Sequence, residues 1–485
     1  MNLTWPIRPM EHQSRAHTLS KEHFDKFNID AYGFLAEMGC GKTFMCWRDV
    51  IQAYAEGRID RVVIFAGKGS YRSWTDLEIP TITPPEVRYV MHLWTGSTSS
   101  KTKEELRRLA APGKHLRILV MNIEAVGASP RARAAVGQFV DGGPCAIVTD
   151  ESTLIKNHEA VRTEELVHLG KRAVMRRIAT GSPITKNPLD LWGQFLFLGE
   201  GLLGFRSYFA FRARYAILKE IQVSGRTVRV PVAYHNLPEL EERVKLHSFR
   251  ITKAECLDLP PKVYEYVDVD MSVEQHRMYN EFRRDCVTSL QDGTMSTTQR
   301  MTQVMQLHRI LCGHFLDDDT KTVMPIPSLR ASMLADKLEE VGDQSVIIWC
   351  SYRYDVKLMR EELERRHGAG CALEYHGGVS PDGCAAAVAD FQARRKQFII
   401  LTQAKGSKGI TLTAAQVVAY YSNTFDLEHR IQSEDRAHRI GQRNTVTYLD
   451  TRVRGTVDER VIANLRAKRD IATIVLGDEI TEWLS

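Results

Sequence analysis

Long apolar runs are what this 485-residue sequence most plainly lacks. The longest, such as Val346–Cys350, are strand-length and far below the roughly 20 residues that cross a bilayer. The opening MNLTWPIRPM has no apolar signal core, so a soluble, cytoplasmic protein with no membrane attachment is expected. The nine cysteines contain no Cys-x-x-Cys pair, so neither a disulfide framework nor a zinc knuckle is indicated. Cys312 and His314 alone do not make a metal site. Low-complexity tracts and short-period repeats are absent too. Charge of one sign is also missing: 65 basic residues against 60 acidic leave a formal charge of +5, a slight pull toward polyanions.

The chain is too long for one ordinary core and suits two domains with insertions. Short β-branched runs alternate with longer amphipathic stretches, the pattern of strand-helix-strand units and parallel sheets. Strands are expected at 61–66, 117–121, 146–149 and 177–180, and again at 345–351, 397–402, 417–421 and 445–450. The fold class that follows is α/β, with two doubly wound parallel-sheet lobes. Between them, 222–236 reads as a hairpin turning at Gly225, followed by charged helical sequence and the rigid Leu259-Pro260-Pro261-Lys262. The expected boundaries are 1–240 for the first lobe, with an insertion at about 206–236; 241–330 for a linker and helical protrusion; and 331–485 for the second lobe with a C-terminal brace.

Ala36 to Thr43 read AEMGCGKT, closing the apolar Phe34-Leu35-Ala36 and opening helical sequence, where a phosphate cradle belongs. Gly39 and Gly41, either side of Cys40, let backbone N–H groups face phosphates. Lys42 is placed to neutralise β and γ oxygens, and Thr43 to offer its hydroxyl to Mg²⁺. An ordinary glycine turn is the alternative. Asp150 and Glu151 close the apolar run 145–149 at the strand edge where parallel sheets bind ligands. Asp150 is expected to hold Mg²⁺, largely through water, and Glu151 to orient the attacking water and accept its proton. A solvated strand-end pair is the alternative there. Far downstream, 432–442 read QSEDRAHRIGQ, with Arg436 and Arg439 three apart and expected on one helix face. An arginine supplied from a second lobe stabilises charge on a transferring phosphoryl group. The plainer reading is a solvated basic face that includes Arg443.

The order of these motifs resembles that of the Swi/Snf-type DNA-dependent ATPases of helicase superfamily two, over nearly the whole chain. Arg8-Pro9 with Gln13 is similar to the family's adenine-reading element, and AEMGCGKT to its D-E-M-G-L-G-K-T, with Cys40 for leucine. Asp150-Glu151-Ser152-Thr153 stands where many relatives have a histidine in fourth place. Thr180-Gly181-Ser182-Pro183, with Asn187, Leu191 and Trp192, resembles the element that couples hydrolysis to motion. Arg250, Lys253 and 259–262 match R-x-x-K and L-P-P-K, and 435–442 match DRAHRIGQ letter for letter. The fifth motif departs: it is Lys405-Gly406-Ser407-Lys408-Gly409, keeping two glycines.

The resemblance implies RecA-like lobes, a P-loop with DEAD/DEAH-like carboxylates, and ATP with Mg²⁺ split between the lobes. Gln13 and Gly409 join the nucleotide-side residues, and Thr180, Gly181 and Ser182 the coupling residues. It also implies double-stranded DNA as partner, tracked through backbone phosphates without strand separation. The implied contacts are Lys68, Ser70, Arg72 and Asn122 on the first lobe, and Ser351, Tyr352, His376, Thr402 and Lys405 on the second. Trp74 and Tyr352 stack on a base or pack in the core. The expectation is a monomeric, minimal motor of the kind phages and mobile elements carry, acting in a host cytoplasm and remodelling DNA-bound proteins. Two alternatives stand: a fork-remodelling or annealing ATPase, whose relatives share the Asp-Glu-Ser opening and the pair Lys156-Asn157, and a non-catalytic clamp switched by ATP.

Overall fold

The computed structural model describes residues 3–465 apart from 69, 98, 111, 112, 186, 224, 225, 292–296, 318, 319, 321, 408, 409, 463 and 464. The expected turn residue Gly225, the expected nucleotide-side Gly409 and the end of the expected brace lie outside the described residues. The chain forms two compact units, one running to Asp258 and one starting at Leu259.

In the first unit, strands β1 (Ala31–Ala36), β2 (Arg61–Ala66), β3 (Tyr89–Trp94), β4 (Leu116–Asn122), β5 (Cys145–Asp150) and β6 (Met175–Ala179) precede an antiparallel hairpin of β7 (Ala216–Val223) and β8 (Arg226–Tyr234). The last strand, β9 (Ser248–Ile251), returns to the main sheet, whose order is β3-β4-β2-β5-β6-β1-β9 with every pairing parallel. Successive side chains of a strand point to opposite faces. Val62 and Ile64 accordingly enter one buried cluster and Val63 and Phe65 the other. A parallel sheet covered on both faces explains why β1, β2 and β5 are buried at every position and read as nearly continuous apolar runs. Helix α1 (Glu11–Phe27) precedes β1, and helix α2 (Lys42–Ala55) follows it after five residues.

The second unit holds β10 (Lys262–Asp268), the short antiparallel pair β11 (His314–Leu316) and β12 (Val323–Pro325), then β13 (Val346–Cys350), β14 (Ala372–Tyr375), β15 (Phe398–Thr402), β16 (Val417–Tyr420) and β17 (Val446–Arg452). Its main sheet runs β10-β17-β16-β13-β15-β14, again wholly parallel. Alternation sends Val346, Ile348 and Cys350 to one core and Ile347 and Trp349 to the other. Two doubly wound α/β lobes are therefore present.

The stretch 241–330, read from sequence as a linker, donates β9 to the first sheet and β10 to the second. The unit boundary falls in Leu257–Pro261, which forms no regular structure because Pro260 and Pro261 lack the N–H a ladder needs. Among the described residues no helix is long and apolar enough to cross a membrane.

Candidate functional site

In both units most of the candidate residues follow the carboxyl ends of parallel strands, where open α/β sheets bind ligands; Gln13 lies on α1, and Arg436 and Arg439 follow a helix. The 36–43 loop follows β1, Lys68 to Arg72 follow β2, and Asn122 ends β4. Asp150 and Glu151 follow β5, and Thr180 to Ser182 follow β6. In the second unit Ser351 and Tyr352 follow β13, His376 follows β14, and Lys405 comes just after Thr402 at the end of β15.

The loop itself is held open by left-handed backbone at Gly39 (φ 89°) and Gly41 (φ 80°). An L side chain there costs roughly 1–2 kcal/mol. Gly41 is the N-cap of α2 and offers no side-chain cap, so the first-turn N–H groups are left to an anion. The first turn of α1 docks on the loop from outside. His12 Nε2 meets the Cys40 carbonyl at 2.9 Å, and the Gln13 amide lies over Gly41, where a Cβ would overlap its nitrogen. Gln13 is otherwise fixed by accepting the Met10 N–H at 3.0 Å.

The R-x-x-K element braces the loop from β9. Arg250 donates to the Leu35 carbonyl at 2.9 Å, and Glu37 accepts the Lys253 N–H at 2.8 Å. Cys256 Sγ lies 3.3 Å from Cys40 Sγ.

Lys42 is buried, and a Cβ on Gly181 would sit 3.4 Å from its Nζ and 3.2 Å from the Met38 nitrogen. Glycine at 181 is what lets the 180–183 element lie against the phosphate loop. Asp150 is buried beside Lys42, and its carboxyl is pushed up to about 6, first by burial and then by Glu151. The Trp74 N–H, the Lys42 charge and the Glu151 N–H hold it back from rising further. Trp74 Nε1 donates to Asp150 Oδ2 at 3.0 Å, and the Glu151 N–H to Oδ1 at 3.1 Å.

Glu151 has φ 53° and ψ 59°, a left-handed conformation for a residue with a side chain. Strain of that kind costs on the order of 1–3 kcal/mol and gathers at functional sites. The next residue is tied down: Ser152 donates to Gln194 Oε1 at 2.7 Å, and Gln194 Nε2 donates to the Pro183 and Asp190 carbonyls at 2.7 and 2.8 Å. Gln194 thus ties the carboxylate turn to the 180–183 element. Neither this amide nor Trp74 as a carboxylate partner was evident from motif spacing. Their signal lay in polar atoms on otherwise apolar faces.

A divalent ion fits these residues. Thr43 and Asp150 are hard oxygen donors, and a buried carboxyl with raised proton affinity is one that a nearby cation would return to its charged form. Among the described residues no cluster of three or more His, Cys, Asp or Glu could hold a metal. An ion here would therefore draw most of its ligands from water and phosphate, as Mg²⁺ does.

The arginine run corrects one expectation. The helix Leu427–Glu434 stops before Arg436, and 435–440 pass through turns to Gly441 at φ 100°. The two arginines are thus not on one helix face. Side-chain bonds shape the segment instead. Arg436 Nη1 donates to the Ile410 carbonyl at 2.8 Å, Arg439 Nη1 to Thr411 Oγ1 at 2.9 Å, and Gln442 Nε2 to the Ala415 carbonyl at 2.8 Å. Both guanidiniums therefore reach consecutive residues just after the fifth motif.

The remaining candidates differ in exposure. Lys68, Arg72 and Lys405 are exposed, while Thr402 is buried. Ser351 bonds Gln403 Oε1 at 3.2 Å, and Asn122 caps the next helix through the Glu124 N–H. His376 is engaged by Glu374 and by the Gly378 N–H. Tyr352 turns inward, its hydroxyl 3.0 Å from His308 Nδ1, and Trp74 is wholly buried. Thr180 is buried and accepts the Ser182 N–H at 3.3 Å.

A family model described as the SNF2-related domain matches residues 31–316, more than half of the chain, and one described as the helicase conserved C-terminal domain matches 330–441. The chain belongs to the SNF2-related family. Both of its units carry segments matched by helicase-type family models. Human TATA-binding protein-associated factor 172 is 26% identical over 383 residues, 68% of this chain and 21% of that protein. The uncharacterized ATP-dependent helicase MG018 of Mycoplasma genitalium is 22% identical over 343 residues, 70% of this chain and 31% of that protein. This SNF2-related chain thus spans about a fifth to a third of the length of these curated relatives. A solved structure, the Sulfolobus solfataricus SWI2/SNF2 ATPase core in complex with dsDNA, is 20% identical with a TM-score of 0.42, covering 100% of this chain and 97% of that one.

Proposed function

We propose that this SNF2-related protein is a double-stranded DNA translocase that hydrolyses ATP with Mg²⁺ and moves along the duplex without separating its strands. The observation that carries the reading is the convergence on Lys42 in the first unit: the glycine loop, the Asp150-Glu151 turn and Gly181 all lie around one ammonium group. That is the arrangement phosphoryl transfer needs, since positioning and electrostatics supply most of its catalysis.

Gly39, Cys40, Gly41 and Lys42 bind the phosphates, and Gln13 reads the base. Thr43 and Asp150 are the residues that would hold Mg²⁺, which supplies charge neutralisation on the phosphate oxygens. Glu151 orients the attacking water and accepts its proton. Arg436 and Arg439 of the second unit stabilise the charge on the transferring group during the cycle. Thr180, Gly181 and Ser182 pass the change at the phosphates to the rest of the unit. Lys68, Ser70, Arg72, Asn122, Ser351, Tyr352, His376, Thr402 and Lys405 form the DNA-facing set, binding mostly backbone phosphate. DNA-bound proteins are the class of object such a motor displaces.

The test is steady-state phosphate release with and without duplex DNA, together with displacement of a triplex-forming strand from a duplex track. Duplex-stimulated turnover with triplex displacement supports the reading, provided K42A and R439A abolish both. Undiminished turnover in either variant removes it. A fork substrate annealed or reversed without triplex displacement would instead favour the fork-remodelling alternative, with which the Asp150-Glu151-Ser152 opening and the pair Lys156-Asn157 agree.

A further inference from the structure

Trp74 lies in the segment that follows β2 and carries the exposed Lys68 and Arg72. Its side chain is 1% exposed, and its ring meets that of Trp47 on α2 edge-on at 6.4 Å. The indole N–H is not simply buried in apolar surroundings but donates to Asp150 Oδ2. The backbone also changes pitch here: Trp74–Glu78 form a π-helical turn between short α-helical stretches. Turns of that kind recur at functional sites. The start of the segment touches the carboxylate turn a second time, since a Cβ on Gly67 would sit 3.3 Å from Leu154 Cδ1.

The two oxygens of Asp150 are held by different elements. Oδ1 accepts the N–H of Glu151, and Oδ2 accepts the indole. The carboxylate therefore cannot rotate without moving either the candidate base or Trp74. We infer that Trp74 is a positioning residue through which the segment 67–78, when it binds DNA, sets the orientation of Asp150 and, through Asp150, of Glu151. The inference rests on the DNA-stimulated ATPase reading and names the route by which the stimulus travels.

Hydrogen bonds to charged groups are strong enough that losing this one should reduce the coupling roughly tenfold or more. W74F keeps an aromatic ring and removes only the donor. W47F is its packing control: Trp47 meets Trp74 edge-on, but its own N–H goes to Thr83 Oγ1 at 2.9 Å, so the change disturbs the ring contact without removing the donor to the carboxylate. Three quantities are read for wild type and both variants: thermal unfolding, the ATPase rate with and without duplex DNA, and the affinity of a fluorescent non-hydrolysable ATP analogue with and without duplex.

The expected result is that W74F retains separate DNA and nucleotide binding while its DNA stimulation factor falls roughly tenfold, and that W47F keeps the wild-type factor. Equal stimulation in W74F and wild type overturns the inference alone. So does a loss in W74F that W47F matches. A wild-type rate indifferent to duplex overturns both this inference and the function it rests on. Hydrogen exchange on the wild type needs no variant to fold. Duplex alone should slow exchange at 145–155 as well as at 67–78, and protection confined to 67–78 would refute the route.

Discussion

Replacing Gln194 by leucine removes the amide that joins the carboxylate turn to the 180–183 element, and the cost can be worked from its bonds. Ser152 Oγ loses its acceptor and the buried Pro183 carbonyl loses its donor. The Asp190 carbonyl, at the helix N-cap, keeps its first intrahelical bond. At about 1.5 kcal/mol for each buried group left without a partner, Q194L should lose about 3 kcal/mol. S152A orphans only Gln194 Oε1 and should lose about 1.5 kcal/mol. In the double variant the Pro183 carbonyl alone is orphaned, so the loss should be about 1.5 kcal/mol rather than the 4.5 or so that addition gives. The assay is equilibrium urea unfolding of all four proteins, with thermal midpoints as a cross-check at roughly 2–4 °C per kcal/mol. Additivity within about 0.5 kcal/mol would mean the amide is not the joint described here. ATPase rates on the same set should fall with Q194L although no bond to substrate has been removed, because the carboxylate turn is then no longer tied to the 180–183 element.

Three further outcomes are expected. Asp355 is fully buried and pushed up to about 7 by burial, against the hold of Ser422, Arg330 and the Tyr352 N–H. A carboxyl raised on folding stabilises most below its unfolded value near 3.9 and loses that contribution as pH rises through about 7. Urea unfolding of D355N and wild type should therefore diverge in favour of asparagine by roughly 2 kcal/mol between pH 5 and 8, and a pH-independent gap would refute the assignment. R439A should bind nucleotide as the wild type does and turn over roughly 10³-fold more slowly, as single-turnover and analogue-binding measurements would show. Diamide, a two-electron thiol oxidant that takes up both thiol protons, should join Cys40 to Cys256 and block nucleotide binding reversibly. C256S should be indifferent, and peptide mapping without the 40–256 link would refute the proximity.

Most strands of both sheets were legible because a parallel sheet buried on both faces must be written as short apolar blocks, and 61–66, 146–149 and 417–421 are such blocks. β10 was hidden for the opposite reason. It is an edge strand whose Val263, Tyr264 and Tyr266 stay more than a third exposed, so Lys262–Asp268 looks like linker. The phosphate loop and the Asp150-Glu151 turn were readable as local strings. The pieces that hold them were not, because Gln194, Trp74 and Cys256 are distant in sequence and are brought in only by packing. The helix expected to carry Arg436 and Arg439 failed on a related point. A three-residue spacing is compatible with a helix, but carbonyls at 410 and 415 drew the side chains of Arg436 and Gln442 into another path.

The left-handed backbone at Glu151 sets what folding prefers against what chemistry requires. Glycine would settle there with no steric penalty, and asparagine with little. A mutant library sorted only for abundance should therefore drift away from glutamate at this codon, whereas one sorted for turnover should keep it. The position is a point where two selections can be separated in a single tube.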